Sequence, residues 1–253
     1  MSPVTAALRP MWADLHIHTV LSACAEVEMI PPLIVRRARE LGLGVIAITD
    51  HNTAENVQAV GEAAAGSGVS VLAGMEVQTR EEIHVICLFD TAEQALAWQE
   101  VVYAHLPPLK NRAEVFGAQF VVDRLGDFVR ENERLLLTST ALGIEQVVEG
   151  VRALGGLPIA AHADRPSYSI LANLGFIPPG LALAAVELSG RISPEEALQR
   201  HPSLAGWPLL ISGDAHRLSE MRAATLITWA EPSVRELERA LHGQEGRRIK
   251  LLP

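Results

Sequence analysis

Two histidines at i and i+2 give the first chemical signal in this chain. His16 and His18 stand in Asp14-Leu15-His16-Ile17-His18-Thr19, at the end of an apolar run. Side chains on a strand alternate faces, so the two imidazoles share one face and can grip a single metal ion. The same alternation places Asp14 on that face, where a carboxylate can orient a ligating imidazole through its N–H. Similar residues recur at the ends of later apolar runs. They are His51 in Asp50-His51-Asn52, Glu76 in Gly74-Met75-Glu76, His162 after residues 157–161, and Asp214 with His216 in Ser212-Gly213-Asp214-Ala215-His216. His84 sits at the start of its run instead. Each residue alone could be a strand cap or a hydrogen-bonded structural side chain. Gathered at one end of one fold, they make a metal site. Mixed imidazole and carboxylate donors suit divalent zinc, manganese or iron rather than a thiolate-type structural zinc. A shared carboxylate would hold two ions roughly 3.5–4 Å apart, the spacing of hydrolytic two-metal sites.

The elements that must position these residues alternate along the chain. Strand-like runs cover residues 11–17, 45–49, 69–73, 83–89, 157–161, 184–188, 207–211 and 224–228. Helical patterns cover 31–41, 54–65, 92–103, 144–154, 195–201 and 234–241. Pro31 and Pro32 suit a first helical turn, and Gly42, Gly66, Gly155 and Gly243 stand as stop signals. The rhythm breaks between about 107 and 140, where 119–122 and 128–130 read as a small hairpin. We take that stretch as an insertion on one face of a single domain spanning residues 1–253. Strand–helix alternation on this scale predicts a parallel α/β fold, a closed or distorted barrel rather than an open sheet. Chemistry in such barrels sits at the C-terminal ends of the strands.

Composition narrows the partners. The formal net charge is −9, and Lys110 and Lys250 are the only lysines. That argues against extended nucleic-acid binding and against an anionic membrane surface. A small phosphorylated substrate remains compatible, because bound metal ions invert the local field. Cys24 and Cys87 lack a paired spacing and read as reduced thiols of a cytoplasmic protein. Met1 to Pro10 carries no long apolar segment of the signal-peptide kind. The pattern says nothing of oligomeric state.

Taken together and in this order, the segments Asp14 to Thr19, Asp50-His51-Asn52, Gly74-Met75-Glu76, His84, Ala161-His162 and Ser212 to His216 resemble the PHP family, named for polymerase and histidinol phosphatase. The resemblance implies a distorted, TIM-like (β/α)7 barrel and a cluster of two or three divalent metals. It also implies hydrolysis of phosphate esters by a metal-activated water. Carried over, His16 and His18 would hold one ion with Glu76 and Asp214. Glu76 would bridge to a second ion held by His84 and His162, and His51 and His216 would hold a third, with Asp50 behind them. Many family members supply the third ion with an Asp from Ser-Asp-Gly shortly after His-x-His. This chain has Leu21-Ser22-Ala23-Cys24-Ala25-Glu26-Val27-Glu28 instead. Glu26, Glu28 or Cys24 could take that place. Asp214 or a ligand histidine such as His216 could pass a proton, and Arg165, three residues past His162, could clamp phosphate oxygens. Arg217 is a weaker candidate for the same task. Two other readings stay open: an amidohydrolase-type metal hydrolase, and a non-catalytic metal-binding sensing or interaction module.

Overall fold

Short apolar runs build the strands, and the helices between them cover their outer faces. A computed structural model describes residues 7–252. The reading of Met1 to Pro10 therefore falls mostly on residues 1–6, outside the described residues. The elements are β1 (Arg9–Ile17), α1 (Pro31–Glu40), β2 (Leu43–Ile48), α2 (Val57–Ala64), β3 (Ser70–Gln78), β4 (His84–Phe89), α3 (Ala92–Ala104), α4 (Ala113–Phe116), β5 (Phe120–Val122) and β6 (Phe128–Glu131). They continue with α5 (Ile144–Ala153), β7 (Leu157–Ala160), α6 (Ile170–Leu174), β8 (Ala185–Leu188), α7 (Pro194–Arg200), β9 (Leu209–Ile211), β10 (Thr225–Trp229), α8 (Val234–Leu241) and β11 (Arg248–Leu251). Among the described residues no helix is long and apolar enough to cross a membrane.

The large sheet has the order β11-β10-β1-β2-β3-β4-β7-β8-β9. Its two ends meet. Ile17 pairs in parallel with Ala215, just past β9. His18 donates its N–H to the Ala215 carbonyl at 3.0 Å, and Ala215 donates to the His16 carbonyl at 3.1 Å. β1, β2, β3, β4, β7, β8 and β9 thus form a nearly closed, distorted barrel, while β10 and β11 extend it antiparallel from β1.

The barrel is not wholly parallel: β4 runs antiparallel to both β3 and β7. This explains the odd position of His84. The N-terminal end of β4 lies at the same rim as the C-terminal ends of its neighbours, so a residue that opens this strand joins residues that close the others. Only residues 79–83 connect β3 to β4, too few for a parallel crossover.

A second irregularity changes the first reading of β1. Its register with β2 steps from Asp14↔Ile46 to Ile17↔Ile48, three residues against two. A bulge of this kind re-aims the side chains around it. Ala13 and Leu15 consequently join the cluster that fills the barrel with Val45, Ala47, Ile86 and Ile159. Ile17 joins the outer layer with Ile46 and Ile48 under the helices. Asp14 therefore does not share a face with His16, contrary to simple alternation. It accepts backbone N–H bonds from Gly213 and Arg222, each at 2.8 Å. Burial, opposed by these bonds, raises its pKa to about 6. Trp229 and the buried face of α8 (Val234, Leu237, Ala240) pack into the interior cluster. The α8 N-terminus is anchored by Val234 N–H to Asp90, which follows β4, at the end opposite the histidines.

Helix starts follow the capping rules. Thr91 and Gln94 form a capping box at the start of α3, and prolines open α1. α2 begins at Val57, three residues later than its alanine-rich pattern suggests. The cause is Asn56, whose amide donates to Thr19 Oγ1 and to the Phe120 carbonyl and so holds a turn there. The stretch 107–140 contains α4 and the two-stranded β5–β6 sheet. It packs against the rim: Phe120 N–H donates to the Val20 carbonyl, and the Asn52 amide donates to the Leu136 and Thr138 carbonyls.

Candidate metal centre

Glu76, at the C-terminal part of β3 and 1% exposed, is the centre of the site. Its carboxylate lies 2.8 Å from His84 Nδ1, 3.0 Å from His51 Nδ1, 3.1 Å from His162 Nε2, 3.3 Å from His16 Nε2 and 3.5 Å from His18 Nε2. Asp214 Oδ1 closes the other side, 3.1 Å from His18 Nε2 and 3.3 Å from His16 Nε2. His216 stacks on His18 with ring centroids 4.1 Å apart. Five strand ends and the loop after β9 thus converge on a volume a few ångströms across.

Three sets of donor atoms lie mutually within 4.8 Å: His16, His18, Glu76 and Asp214; His51, Glu76 and His84; and His18, His51 and His216. The first is the full set expected for one ion. In the second His51 stands beside His84, while His162 still reaches Glu76. Several buried donor atoms here have no hydrogen-bond partner, namely His16 Nε2, Glu76 Oε2, His84 Nε2 and His162 Nδ1. Buried polar atoms left unpaired are costly, and a divalent cation held beside Glu76 would take the lone pairs of His16 Nε2 and Glu76 Oε2. The donor set fits metal ions.

The electrostatics agree. Burial alone would raise the pKa of Glu76, yet His84, His16 and His51 outweigh it and hold the carboxylate well below its usual range. Burial works against a charged His16, but Glu187, Asp214 and Glu76 hold its pKa well above normal. His18 goes the opposite way, lowered by burial and by His216 and His51. Neighbouring imidazoles with diverging proton affinities mean that metal binding must displace protons.

Backbone strain gathers at the same place. The described non-glycine residues with positive φ are Asn52, Glu82, His162, Tyr168, Asp214 and Glu245. His162 (φ 30°) and Asp214 (φ 45°) belong to the cluster, Asn52 (φ 54°) follows His51, and Tyr168 (φ 55°) stacks on His84. Such conformations persist where surrounding structure enforces them, and they concentrate at functional sites.

The remaining expected residues divide. Arg165 is at the site: its Nη1 pairs with Asp214 Oδ2 at 2.5 Å, while its Nε has no partner. Glu26 is not gathered in. Its exposed side chain lies 3.5 Å from Arg217 Nε, and only its backbone N–H reaches the His216 carbonyl. Cys24, exposed on the same loop, is close enough to His216 and His51 for them to shift its thiol. Burial would raise its thiol pKa, but hydrogen bonds to His216 and His51 bring it down to about 6. Asp50 accepts from Thr19 and Ser22, and Ser22 Oγ sits 3.0 Å from His18 Nδ1, so it holds the loop behind the ligands. Both lysines stand outside the cluster. Lys110 pairs with Glu133 at the surface, and Lys250 is on β11, so no lysine is placed to bridge two metals.

Sequence reasoning missed Glu187. It sits in β8, 1% exposed, with Oε2 2.9 Å from His16 Nδ1 and 3.1 Å from the His162 backbone N–H. A lone carboxylate inside Ala-Val-Glu-Leu was the available signal, since a buried charge needs a partner. It fixes the tautomer and angle of His16. Glu187→Gln should weaken metal affinity by roughly 10- to 100-fold with the fold intact, read by calorimetric titration of metal-free protein with zinc or manganese.

The comparisons with known proteins point the same way. The PHP domain family model matches residues 14–167. The chain is 36% identical over 89 residues to the 5'-3' exoribonuclease Rnm of Salmonella typhimurium, covering 33% of this chain and 29% of that one. It therefore spans less than a third of that curated relative. Its fold is similar to the lesion-specific endonuclease PfuEndoQ from Pyrococcus furiosus, with TM-score 0.66, 20% identity, and coverage of 95% of this chain and 58% of the other. Endonuclease Q is also known in complex with a 27-mer duplex carrying an abasic lesion at the active site. A Bifidobacterium adolescentis protein described as a metal-dependent phosphoesterase matches with TM-score 0.56 and 20% identity over 87% of this chain and 89% of the other. The charge-based exclusion of nucleic acid as a partner is overturned, since a relative and a similar fold both act on nucleic acids. A net charge sums the whole surface and does not describe the field at one rim that would carry divalent cations. With its family model matched over well more than half of its length, the chain belongs to the PHP domain family.

Proposed function

We propose that this chain is a metal-dependent phosphoesterase that hydrolyses phosphoester bonds of nucleic acids. One observation carries the reading: a single buried carboxylate, Glu76, lies within 3.5 Å of five imidazoles, with several donor atoms lacking any other partner. Two or three divalent ions, manganese, iron or zinc, would be held by His16, His18, His51, Glu76, His84, His162, Asp214 and His216. Such ions make water nucleophilic near neutral pH and offset charge on phosphate oxygens. The exposed Cys24 thiol, drawn down by His216 and His51, would offer that end of the site a softer donor, which favours zinc or iron.

The chain's own residues do the rest. Arg165 stands at the open side with donors to spare and offers a planar fork to phosphate oxygens. Its pairing with Asp214 keeps it aimed at the site until substrate arrives. His216, with 22% of its side chain exposed, is the most accessible imidazole of the cluster, and its Nδ1 lies 3.0 Å from the Asp214 carbonyl, which leaves Nε2 for an ion. Glu187 and Ser22 fix the angles of His16 and His18 through Nδ1. Free thiols at Cys24 and Cys87 are in keeping with a reducing cytoplasmic compartment.

The test is elemental analysis of protein purified without chelator, beside His16→Ala, followed by assays on short RNA and DNA strands, phosphomonoesters and cyclic amides. About two or three transition-metal ions per chain are expected, lost in the variant, with strand cleavage that a chelator stops. A wild type that takes up no manganese, iron or zinc would overturn the reading, as would a loaded protein that cleaves amides and no phosphoester.

A further inference from the structure

The loop that follows β7 carries more than a ligand and a cation. It runs His162-Ala163-Asp164-Arg165-Pro166-Ser167-Tyr168-Ser169 and is tightly fastened. Arg165 N–H donates to the His162 carbonyl at 2.9 Å, and Ser169 Oγ donates to the Arg165 carbonyl at 2.7 Å. Asp164 accepts from the Ser189 backbone and hydroxyl at 2.7 and 2.6 Å. Tyr168 lies within this frame at φ 55°, a conformation suited to glycine. Its carbonyl accepts the His84 N–H at 3.0 Å, and its ring stacks on the His84 ring with centroids 4.9 Å apart and planes 22° from parallel. It is nevertheless 46% exposed. One ring face therefore rests on a residue of the metal cluster while the rest of the ring meets solvent at the mouth. A large aromatic side chain in a left-handed position, half in water, contributes little to a core. Its placement makes sense as a surface for something that arrives.

We propose that Tyr168 is a base-stacking platform beside the metal centre, which takes the nucleobase next to the phosphate held by Arg165 and so selects nucleotidyl phosphoesters over simple ones. This rests on the phosphoester reading above and deepens it. Stacking is tolerant of sequence because every base has a π-face. A platform of this kind distinguishes strands with bases from sugar-phosphate alone, and does not distinguish one base from another. Arg165, three residues before Tyr168 on the same fastened loop, sets the phosphate and the base at a fixed separation.

The test is equilibrium binding, by fluorescence anisotropy, of metal-loaded protein to two labelled phosphorothioate strands. One carries bases throughout and the other is abasic throughout, at equal length and charge. Wild type should bind the strand with bases roughly 5- to 100-fold more tightly. Tyr168→Phe should keep that ratio. Tyr168→Gly, which suits the backbone angle and removes the ring, should bring it near one. Metal content, measured on each variant, should not change. A wild type that binds both strands equally or neither overturns the proposal, and so does a Tyr168→Gly protein that keeps the preference. A glycine variant that weakens both strands alike and loses metal would mean the ring only braces His84. The ratio is read without turnover, so a protein that binds with base preference yet cleaves nothing would sink the hydrolase reading and leave this one standing.

Discussion

Glu76→Gln is expected to lose most of its bound metal and at least about 10³-fold in turnover, while keeping the fold. The substitution preserves shape and volume but replaces a carboxylate with an amide that has one acceptor oxygen and two N–H donors. Five imidazoles converge on that carboxylate within 3.5 Å. No single amide orientation can serve them all, because its N–H side faces nitrogens that would have to give their lone pairs to the ions. Two of the donor sets within 4.8 Å contain Glu76, so one substitution strikes two ion positions. Lewis-acid stabilisation of a phosphoryl transition state is worth several kcal/mol, and each ~1.4 kcal/mol is tenfold in rate, which sets the expected loss. Elemental analysis with steady-state kinetics decides. A variant that retains wild-type metal stoichiometry would mean that Glu76 only organises histidines.

Arg165→Met should lower kcat/KM for a phosphoester by roughly 10²- to 10³-fold, with metal content unchanged. Methionine keeps the length of the stem and removes the donors. The guanidinium pairs with Asp214 at 2.5 Å and also has an unpartnered Nε, so it holds donors for an anion that the protein does not itself supply. Arg165→Lys should recover only part of the loss, because a point charge cannot reproduce a bidentate fork. Loss of metal in Arg165→Met would instead assign the arginine to holding Asp214 in place. A normal kcat/KM would remove it from the site.

Much of this site was legible because its residues close strands. Asp-Leu-His-Ile-His, Asp-His-Asn, Gly-Met-Glu and Gly-Asp-Ala-His each follow an apolar run, and a barrel brings such ends to one rim. What escaped reading was geometry without a periodic signature. The bulge in β1 is one extra residue in an unbroken apolar stretch, and alternation alone assigns Asp14 to the wrong face. The direction of β4 is invisible to hydrophobic pattern, yet the short connection over residues 79–83 held the answer, since no parallel crossover fits in it. Glu187 was hidden by its setting, a carboxylate inside an apolar strand. Its role depends on His16 approaching across the barrel from a distant part of the chain. The early start given to α2 came from alanine content, and Asn56 bonding to Thr19 and Phe120 overrode that propensity. The choice between Cys24 and Glu26 could not be made by counting residues, because the loop leaves both exposed and sets the Cys24 thiol near His216 and His51 but the Glu26 carboxylate near Arg217.

The seam between the first barrel strand and the loop after β9 has a bearing on how the molecule assembles. Closure there rests on two backbone–backbone hydrogen bonds and on the Asp14 carboxylate, which accepts the Gly213 and Arg222 N–H groups, all between residues from nearly opposite ends of the barrel sequence. Contacts of such long separation are slow to form and depend on everything between them being in place. The Glu76–His84 pair, by contrast, lies within one antiparallel hairpin and can form early. His16 and His18 stand on one side of the seam, Asp214 and His216 on the other. An ion seated among them would act as a clasp, tightening the join by mass action in proportion to the free ion around it. The persistence of the closed barrel would then track the supply of metal, and a chain made in a metal-poor cell would carry its weakest point at the place where its chemistry is done.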